Sequence, residues 1–248
     1  MGCFALHGKA PARGHALRDG GPPAGMGISR GLGSSAARKI DAAFFDVDWH
    51  SADLGQLVAR FGSDLERGMP LTATRDLYGD APPNLVPSPQ PCPAWLCCLL
   101  PWLKHTPAME SYRACVADSA NVVRDGRRLC IDAASVVPGE IISLQAGDIV
   151  PADARLIECG ADFELSVLAS DSLFYRCANN SECPRTAFLD ATNLAFAGCR
   201  VRSGQAKAMA VATGTGTVLA ALIQRRVWPL PALQGGEVGE VGEQLLPV

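Results

Sequence analysis

Two aspartates separated by one residue, Asp46 and Asp48, follow an apolar run in the stretch AAFFDVDWHS. Such a pair could supply the nucleophile and the general acid of a magnesium-dependent phosphatase. That chemistry needs a Gly-Thr-like turn after the pair and a downstream lysine and acidic pair to hold the metal. The chain continues instead with Trp49, His50 and a helix cap. Carboxylates just before a helix more often complement its dipole, so we do not expect a phosphatase site here.

The cysteines and histidines form no recognisable catalytic or metal-binding pattern. The histidines lie in tails, linkers or a helix start, which argues against Cys-His and Ser-His-Asp catalysis. The cysteines include no C-x-x-C pair and no histidine at a zinc-ligand spacing, so we predict no metal site and no cofactor. Without a secretory pattern, we expect reduced thiols in an intracellular protein. These residues are Cys3, Cys92, Cys97, Cys98, Cys115, Cys130, Cys159, Cys177, Cys183 and Cys199, with His7, His15, His50 and His105.

A glycine pair in ATGTGTV, Gly214 and Gly216, resembles a phosphate cradle only in part. A Walker loop would add a lysine that reaches the phosphates, and no such loop is present in the sequence. The order of strand, turn and short helix predicts instead a turn that leads into a helix.

Length and charge bound the organisation that must position these residues. The sequence of 248 residues has room for one large domain or two modest ones. A net charge of -3 and an isoelectric point of about 5.8 give no basic footprint, so no nucleic-acid partner is expected.

The most apolar segment is CPAWLCCLLPWL, from Cys92 to Leu103. A transmembrane helix needs about 20 apolar residues, and Pro93 and Pro101 cut this segment short. We expect it to pack as a core or interface segment, with membrane-surface contact as the alternative. The apolar cluster that would make either contact consists of Trp95, Leu96, Leu99, Leu100 and Trp102.

Shifts in composition divide the chain into five parts. We expect a disordered Gly, Ala, Arg and Pro-rich tail over 1–48 and a short helical segment over 49–81. A Pro-rich linker with the apolar cluster is predicted over 82–108, a β domain over 109–226, and a loose tail over 227–248.

Apolar residues recur at helical spacing in SADLGQLVARFG, which predicts a short helix capped by Ser51 and ended by Gly62. A second helix is predicted in LTATRDLYGD, capped by Thr72 and closed by Gly79.

Strand signals begin after Met109. NVVRDGRRLCID predicts a hairpin, because Asp125-Gly126 supplies the positive φ angles of a type I′ turn. VVPGEIISLQAGDIVPADARLIE and LAFAGCRVRSGQAKAMAVATG add further strands, and TVLAALIQRR closes with a short amphipathic helix. The fold class predicted is mainly β with flanking short helices, in a distorted jelly-roll-like arrangement.

Small and turn-forming residues surround the two aspartates of this strand region, Asp148 and Asp153. We expect Asp148 to shape the turn at Gly147, and Asp153 to order the Pro151-Ala152 corner by bonds from its side chain to the backbone. The full set of predicted structural turn residues is Pro138, Gly139, Gly147, Asp148, Pro151 and Asp153.

VVPGEIISLQAGDIVPADARLIE resembles the actuator domain of P-type cation ATPases, in which P-G-D/E, G-D and P-A-D-x-R turns precede a T-G-E-S loop. DLGQLVARFGSDLERGMPLTATRDLYGDAPPNLVPSP resembles the segment before the first membrane helix of sodium/potassium and proton/potassium pump alpha subunits. MESYRACV and NLAFAGCRVRSGQAKAMAVATGTGTVLAALI resemble the stretches that open and close the actuator domain. The resemblance covers about Trp49 to Ile223, without the first transmembrane hairpin of the family.

The resemblance places the family's T-G-E-S loop on LASDSLF, at Ala169, Ser170, Asp171 and Ser172. In the family, the glutamate of this loop activates or positions the water that hydrolyses an aspartyl-phosphate. Asp171 keeps the carboxylate but is one methylene shorter, and three of the four positions depart from the family pattern. A surface loop is therefore favoured over a working catalytic carboxylate, since a misplacement of about 1 Å costs roughly a hundredfold in rate.

The sequence contains neither the phosphorylated D-K-T-G-T of the family nor its G-D-G-x-N-D stretch. Phosphoryl transfer needs nucleotide, metal and acceptor held in line. The resemblance therefore implies a non-catalytic, truncated alpha-subunit-like protein that modulates cation transport by binding a pump, its subunits or their regulators. The alternatives are residual help with acyl-phosphate hydrolysis through Asp171 or magnesium binding by Asp46 and Asp48, and a truncated paralogue with no selected function.

The expected location is cytoplasmic, with the cytoplasmic face of the plasma membrane as the alternative. No transmembrane span is predicted, and peripheral contact would use Trp95, Leu99 and Trp102. MGCFAL offers Gly2 and Cys3 for acylation but lacks the Ser or Thr of the myristoylation pattern, and the acid-poor start also resembles a transit peptide.

Overall fold

A computed structural model describes residues 49–80, 82–89, 106–166, 173–175, 189 and 191–228. The described helices are α1 (Leu54–Phe61), α2 (Leu71–Asp80), α3 (Pro107–Cys115) and α4 (Val218–Gln224), with 3₁₀ turns at Ala133–Ser135 and Gly214–Gly216. The described strands are β1 (Ser119–Arg124), β2 (Arg127–Asp132), β3 (Ile141–Gln145), β4 (Asp153–Cys159), β5 (Glu164–Ser166), β6 (Leu173–Tyr175), β7 (Leu194–Ala195), β8 (Val201–Ser203) and β9 (Gln205–Ala212).

Two antiparallel sheets carry these strands, which confirms the prediction of a mainly β fold with short flanking helices. The larger sheet has the order β2-β1-β3-β9-β4-β7, and the smaller has the order β6-β5-β8. β1 and β2 form the predicted hairpin around Asp125 and Gly126, which have φ angles of 49° and 75°.

Alternate residues of the larger sheet pack into two different cores, as the period-2 geometry of a strand requires. Val122 and Ile142 lie in the main core beneath α4, whereas their neighbours Val123 and Ile141 lie on the opposite face. That second face is covered by α1, which contributes the buried Leu57. The sheet is therefore buried on both faces over this part of its surface.

The segment that precedes the sheet packs against it closely. Met69 is almost fully buried and forms a parallel bridge with Arg124 of β1. The amide of Gly126 donates to the carbonyl of Arg67 at 2.7 Å. The hairpin turn and the N-terminal segment thus hold each other in place.

The starts of the two N-terminal helices differ from the sequence prediction. Asp53, not Ser51, caps α1, because its carboxylate accepts from the amide of Gly55 at 2.8 Å. The end at Gly62 is as predicted, with a left-handed φ of 61°.

Helix α2 begins at Leu71, so Thr72 and Gly79 lie within it and neither is a cap as predicted. The amide of Leu71 donates to the carboxylate of the distant Asp125, at 3.0 Å. A cap supplied from the β1–β2 turn replaces the local one, and no local sequence pattern encodes it.

β3 and β4 follow one another in sequence but are not neighbours in the sheet. β9 lies between them and pairs antiparallel with both. The strand, turn and strand predicted here are present, but they do not form a hairpin.

The strands begin later than expected. Residues after Met109 belong to α3, and the first strand starts at Ser119. Pro107 occupies the first turn of α3, where proline is well tolerated, after Thr106 as the N-cap residue. The amide of Glu110 donates to the carbonyl of Thr106 at 3.0 Å. Thr106 and Pro107 therefore begin a helix in a segment where strands were expected.

The closing helix α4 is shorter and more deeply buried than an amphipathic surface helix. Thr217 caps it by accepting from the amide of Ala220 at 3.3 Å. Its buried side chains are Val218, Leu219, Ala220, Leu222 and Ile223.

Candidate functional site

The family-like loop falls in the connection between β5 and β6. Ser166 and Leu173 are paired at the two ends of this connection. Ala169, Ser170, Asp171 and Ser172 themselves lie outside the described residues.

The strand that leads into this connection is firmly anchored. Leu165 of β5 is completely buried, and so is Phe163 just before it. The amide of Ser166 donates to the carbonyl of Arg200 at 2.8 Å, and the amide of Arg200 donates back to the Ser166 hydroxyl at 3.2 Å. The chain therefore enters the loop from a fixed position in the smaller sheet.

The turn at Gly147 and Asp148 ties the larger sheet to the smaller one. Gly147 has a φ of 98°, which favours glycine, and the Asp148 carboxylate accepts from the amide of Gln145 at 2.9 Å. Gly147 donates its amide to the carbonyl of Val201 at 2.8 Å, and Val201 donates its own to the carbonyl of Asp148 at 2.8 Å. β8 is thereby held beside the turn.

The turn at Pro138 and Gly139 lies against the N-terminal segment. Gly139 has a φ of 92°, and its amide donates to the carbonyl of Ala210 at 2.7 Å. A Cβ atom here would lie 2.7 Å from both Met69 Cε and Phe61 Cβ. Glycine is required at this position for both conformation and space.

The next residue, Glu140, is a fully buried acid with a structural partner. Its Oε1 lies 2.5 Å from Nε of Arg124, and its Oε2 accepts from the amide of Val137 at 3.0 Å. The same arginine donates from Nη2 to the carbonyl of Ser135 at 3.4 Å. This ion pair holds the turn before β3 against the end of β1.

Asp153 is a second buried acid, and it lies at the start of β4 after Pro151. Its Oδ1 accepts from the amide of Ala197 at 2.8 Å, and its Oδ2 accepts from the amide of Val218 at 2.7 Å. We expected the carboxylate to order the Pro151-Ala152 corner, and it instead joins two elements distant in sequence. Burial raises the pKa of Asp153 to about 7, although the two amide bonds act in the opposite direction.

Asn84 joins the linker to this same region, and no sequence signal singled it out. Its Nδ2 donates to the carbonyls of Ala133 and Pro151, each at 2.9 Å. Its Oδ1 accepts from the amide of Gly214 at 2.7 Å. Gly214 and Gly216 form a 3₁₀ turn that leads into α4, which confirms the predicted helix-start turn.

A groove of about 470 Å³ opens over part of the larger sheet. Charges of both signs line it, with Arg128 and Lys207 beside Glu66 and Glu158. Such a mixture does not select a strongly charged ligand of either sign. No cluster of metal-binding side chains occurs among the described residues.

The described part of the chain contains four of the cysteines: Cys115 and Cys199 are buried, Cys159 is half-buried and Cys130 is exposed. None of the described helices is long and apolar enough to cross a membrane. The apolar cluster that contains Trp95, Leu99 and Trp102 lies outside the described residues, as do Asp46 and Asp48.

The described buried acids are thus engaged in holding the fold together. Asp153 and Glu140 each accept bonds from backbone amides, and neither faces an open site.

Comparisons with known proteins point to one family. The family model of the P-type ATPase actuator domain matches residues 114–226. The chain is 24% identical over 233 residues to the sodium/potassium-transporting ATPase subunit alpha-4 of Rattus norvegicus, which covers 70% of this chain and 22% of the relative. It is 32% identical over 117 residues to subunit alpha-3 of Homo sapiens, which covers 47% of this chain and 11% of the relative.

The chain thus spans about a fifth or less of the length of these curated relatives. Among solved structures, a zinc-transporting PIB-type ATPase in the E2.Pi state matches with a TM-score of 0.36 and 15% identity, over 46% of this chain and 17% of the other. The family match and the two sodium/potassium ATPase relatives confirm the resemblance found in the sequence. Residues 114–226 are therefore an actuator domain of the P-type ATPase family.

Proposed function

We propose that this chain acts as a non-catalytic binding module that modulates cation transport by contacting a P-type pump or its partners. The 248 residues contain no D-K-T-G-T sequence to accept a phosphoryl group. The described buried acids are occupied by structural bonds. What remains for function is the outer surface of the actuator body and its loop.

The observation that carries this proposal is the exposed apolar surface of α2. Leu71, Leu77 and Tyr78 are 54%, 39% and 50% exposed. Leu71 and Tyr78 stand seven residues apart, and two helical turns bring them to the same side. Exposed apolar side chains grouped on one element are typical of protein contact sites.

The anchoring of α2 favours the same function. The Asp125 carboxylate accepts from the first amide of the helix, and Thr74 in the first turn of the same helix is buried. A helix that is fixed at its base and exposed along its length loses little conformational entropy when it binds. A pump subunit with a complementary apolar groove would be a suitable partner.

The test is affinity capture of pump subunits from native tissue, followed by transport and ATPase assays of the captured pump with added chain. The variant Leu77→Ser/Tyr78→Ser should lose capture and modulation. Leu85→Ser, which changes another exposed leucine away from α2 (59% exposed), should retain both. Equal capture by all three proteins would reject α2 as the contact, and no capture of pump subunits would reject the proposal.

Residual acyl-phosphate hydrolysis through Asp171 is the enzymatic alternative, because this carboxylate falls in the β5–β6 connection where the family-like loop lies in the sequence. An acyl-phosphate hydrolysis assay separates the two functions. Activity of the chain that disappears in Asp171→Asn would replace binding by catalysis as the proposed function.

The proposed location is the cytoplasm or the cytoplasmic face of the plasma membrane, in keeping with the membership of residues 114–226 in the actuator family. Peripheral membrane contact would use Trp95, Leu99 and Trp102. Liposome flotation tests this: binding that Leu99→Asp abolishes supports the membrane-face location, whereas full solubility of the unaltered chain rejects it.

A further inference from the structure

Strand β2 lies at the edge of the larger sheet and pairs only with β1. It has six residues, without proline, and its register with β1 is continuous from end to end. Its side chains are exposed except for the half-buried Ile131. A regular, exposed edge of this kind is a template for another strand, since it lacks the bulge or proline that commonly protects an edge.

The hairpin turn determines which backbone groups of β2 point outward. Arg124 and Arg127 flank the two-residue turn and face each other in the register. The ladder alternates from there, so Arg127, Leu129 and Ile131 direct their backbone groups toward β1. Arg128, Cys130 and Asp132 direct theirs away from the sheet. Among the described residues, no other strand pairs with this outer edge.

We propose that β2 pairs antiparallel with β2 of a second copy of this chain, across a two-fold axis that passes beside Cys130. The axis stands perpendicular to the sheet, because only that operation pairs a strand with an antiparallel copy of itself in one continuous sheet. The outward residues then exchange their backbone hydrogen bonds with the partner.

The side chains of β2 specify this register by charge. With Cys130 opposite the partner's Cys130, Arg128 lies opposite the partner's Asp132, and the reciprocal pair forms on the other side of the axis. Opposite charges directly across an antiparallel pair are stabilising. Both residues are exposed. Asp132 accepts from the amide of Ala134 through Oδ1 at 2.8 Å, so its pairing with Arg128 would use the other oxygen.

The apolar side chains agree with the same register. Leu129, which is 38% exposed, lies opposite the partner's Ile131 on the main-core face of the sheet. A shift that centres the axis on Leu129 would place Arg128 opposite the partner's Cys130 and would break both charge pairs. Parallel pairing in register would bring like charges together. The antiparallel register through Cys130 is therefore the favoured one.

The interface is small, so we expect a weak dimer with a Kd of about 10–100 µM. Sedimentation velocity of the full chain from about 1 to 500 µM should show a monomer converting to a dimer. A chain that remains monomeric throughout this range overturns the proposal.

Backbone pairing is tested at Cys130 itself. Cys130→Pro removes the outward N–H and leaves the bonds toward β1 intact, because proline is tolerated on the open side of an edge strand. This variant should weaken the dimer at least tenfold, whereas Cys130→Ser should leave it unchanged. Circular dichroism confirms that both variants fold, and a dimer that Cys130→Pro does not weaken lies elsewhere and overturns the proposal.

The register is tested by charge reversal. Arg128→Asp and Asp132→Arg should each fail to form homodimers, since each places like charges across the axis. A mixture of the two variants restores both charge pairs and should form a heterodimer as stable as the unaltered homodimer. Failure of the mixture to associate, with both variants folded, would exclude this register.

A short bis-maleimide cross-linker supplies an independent readout at the axis. The two Cys130 thiols should be joined in the unaltered chain at concentrations where the dimer forms. Cys130→Ser should lose that cross-link, and peptide mapping identifies the joined residue. Cross-links that leave Cys130 unmodified would contradict the proposed axis.

Discussion

The carboxylate of Asp153 lies 2.7 Å from the amide nitrogen of Val218, the first residue of α4. Its other oxygen lies 2.8 Å from the amide of Ala197. A single buried side chain therefore connects the start of β4, the chain before β8 and the closing helix. The fold depends on a carboxylate in a place where water cannot reach it.

Burial raises the pKa of Asp153 from 3.8 to about 7 in the folded chain. Below about pH 4, both the folded and unfolded chains hold the proton, and the contribution of this group to stability is fully present. Between about pH 4 and 7 the unfolded chain releases the proton first, so stability falls as the pH rises. Each pKa unit corresponds to about 1.4 kcal/mol, so the loss is on the order of 4 kcal/mol.

Asp153→Asn should abolish this part of the pH dependence, as urea unfolding at pH 4.5 and 7.5 would measure. The variant keeps one acceptor oxygen for two amides, so we expect it to be the less stable protein at pH 4.5. Its deficit should shrink toward pH 7.5. The exposed Asp76→Asn serves as control, and a deficit of Asp153→Asn that grows with pH would contradict the raised pKa.

Gly62 and Gly68 show two different requirements for glycine. Gly62 is needed only for its backbone conformation, whereas Gly68 also has no room for a side chain. Both have positive φ angles, of 71° and 61°. A Cβ at Gly68 would lie 1.8 Å from the backbone oxygen of Val123, whereas a Cβ at Gly62 meets no heavy atom within 4 Å. Gly62→Ala should cost about 1 kcal/mol for conformation alone, and Gly68→Ala should cost at least about 3 kcal/mol.

Urea unfolding of the two glycine variants measures this difference. A backbone shift that separates the N-terminal segment from β1 would accompany Gly68→Ala. Equal destabilisation by both substitutions would show that the approach of Gly68 to Val123 is not a tight contact in solution.

The hairpin of β1 and β2 could be predicted from sequence because its information is local. Asp125 and Gly126 specify the turn, and the flanking residues specify strands. The same local pattern predicted β3, β4 and β9 as strands, but it did not predict that β9 lies between the other two. Sheet order depends on pairings between residues far apart in sequence. The alternation of residues along a strand does not predict which strand will lie beside it.

The structural roles around the candidate site were predictable only in part. Gly139 and Gly147 could be predicted as turn residues, because glycine is common where a turn needs a positive φ angle. The partners of Asp153 and Glu140 could not be named, because Ala197, Val218 and Val137 contribute backbone amides, which every residue except proline possesses. The role of Asn84 could not be predicted for the same reason, because its side chain bonds to main-chain atoms of Ala133, Pro151 and Gly214.

The buried pair of Glu140 and Arg124 should be sensitive to the loss of one partner. Glu140 is fully buried and the Arg124 side chain is 14% exposed, so Glu140→Gln leaves a guanidinium with little access to water. We expect a destabilisation of about 3 kcal/mol. The double variant Arg124→Met/Glu140→Gln should recover part of that loss. Equilibrium unfolding of the unaltered chain, the single variants Arg124→Met and Glu140→Gln, and the double variant measures the coupling. Additive losses would show that the two side chains do not interact.

Asn84 provides the most direct test of whether the N-terminal segment belongs to the same body as the actuator sheet. Its side chain makes hydrogen bonds to the backbone of Ala133, Pro151 and Gly214. Its backbone amide donates to the carbonyl of Ala134 at 2.9 Å. Asn84→Ala leaves two carbonyls and one amide without their buried partner, at about 1–3 kcal/mol for each unsatisfied group.

We expect Asn84→Ala to lower the free energy of unfolding by about 3 kcal/mol or more. Asn121→Ala, at an exposed position on β1, should change it by less than about 0.5 kcal/mol. Limited proteolysis adds a local readout, because loosening of this one connection should speed cleavage between α2 and α3 more than cleavage within the sheet. If Asn84→Ala left both the stability and the cleavage rate of the N-terminal segment unchanged, the segment would have to be held by α1 and Met69 alone.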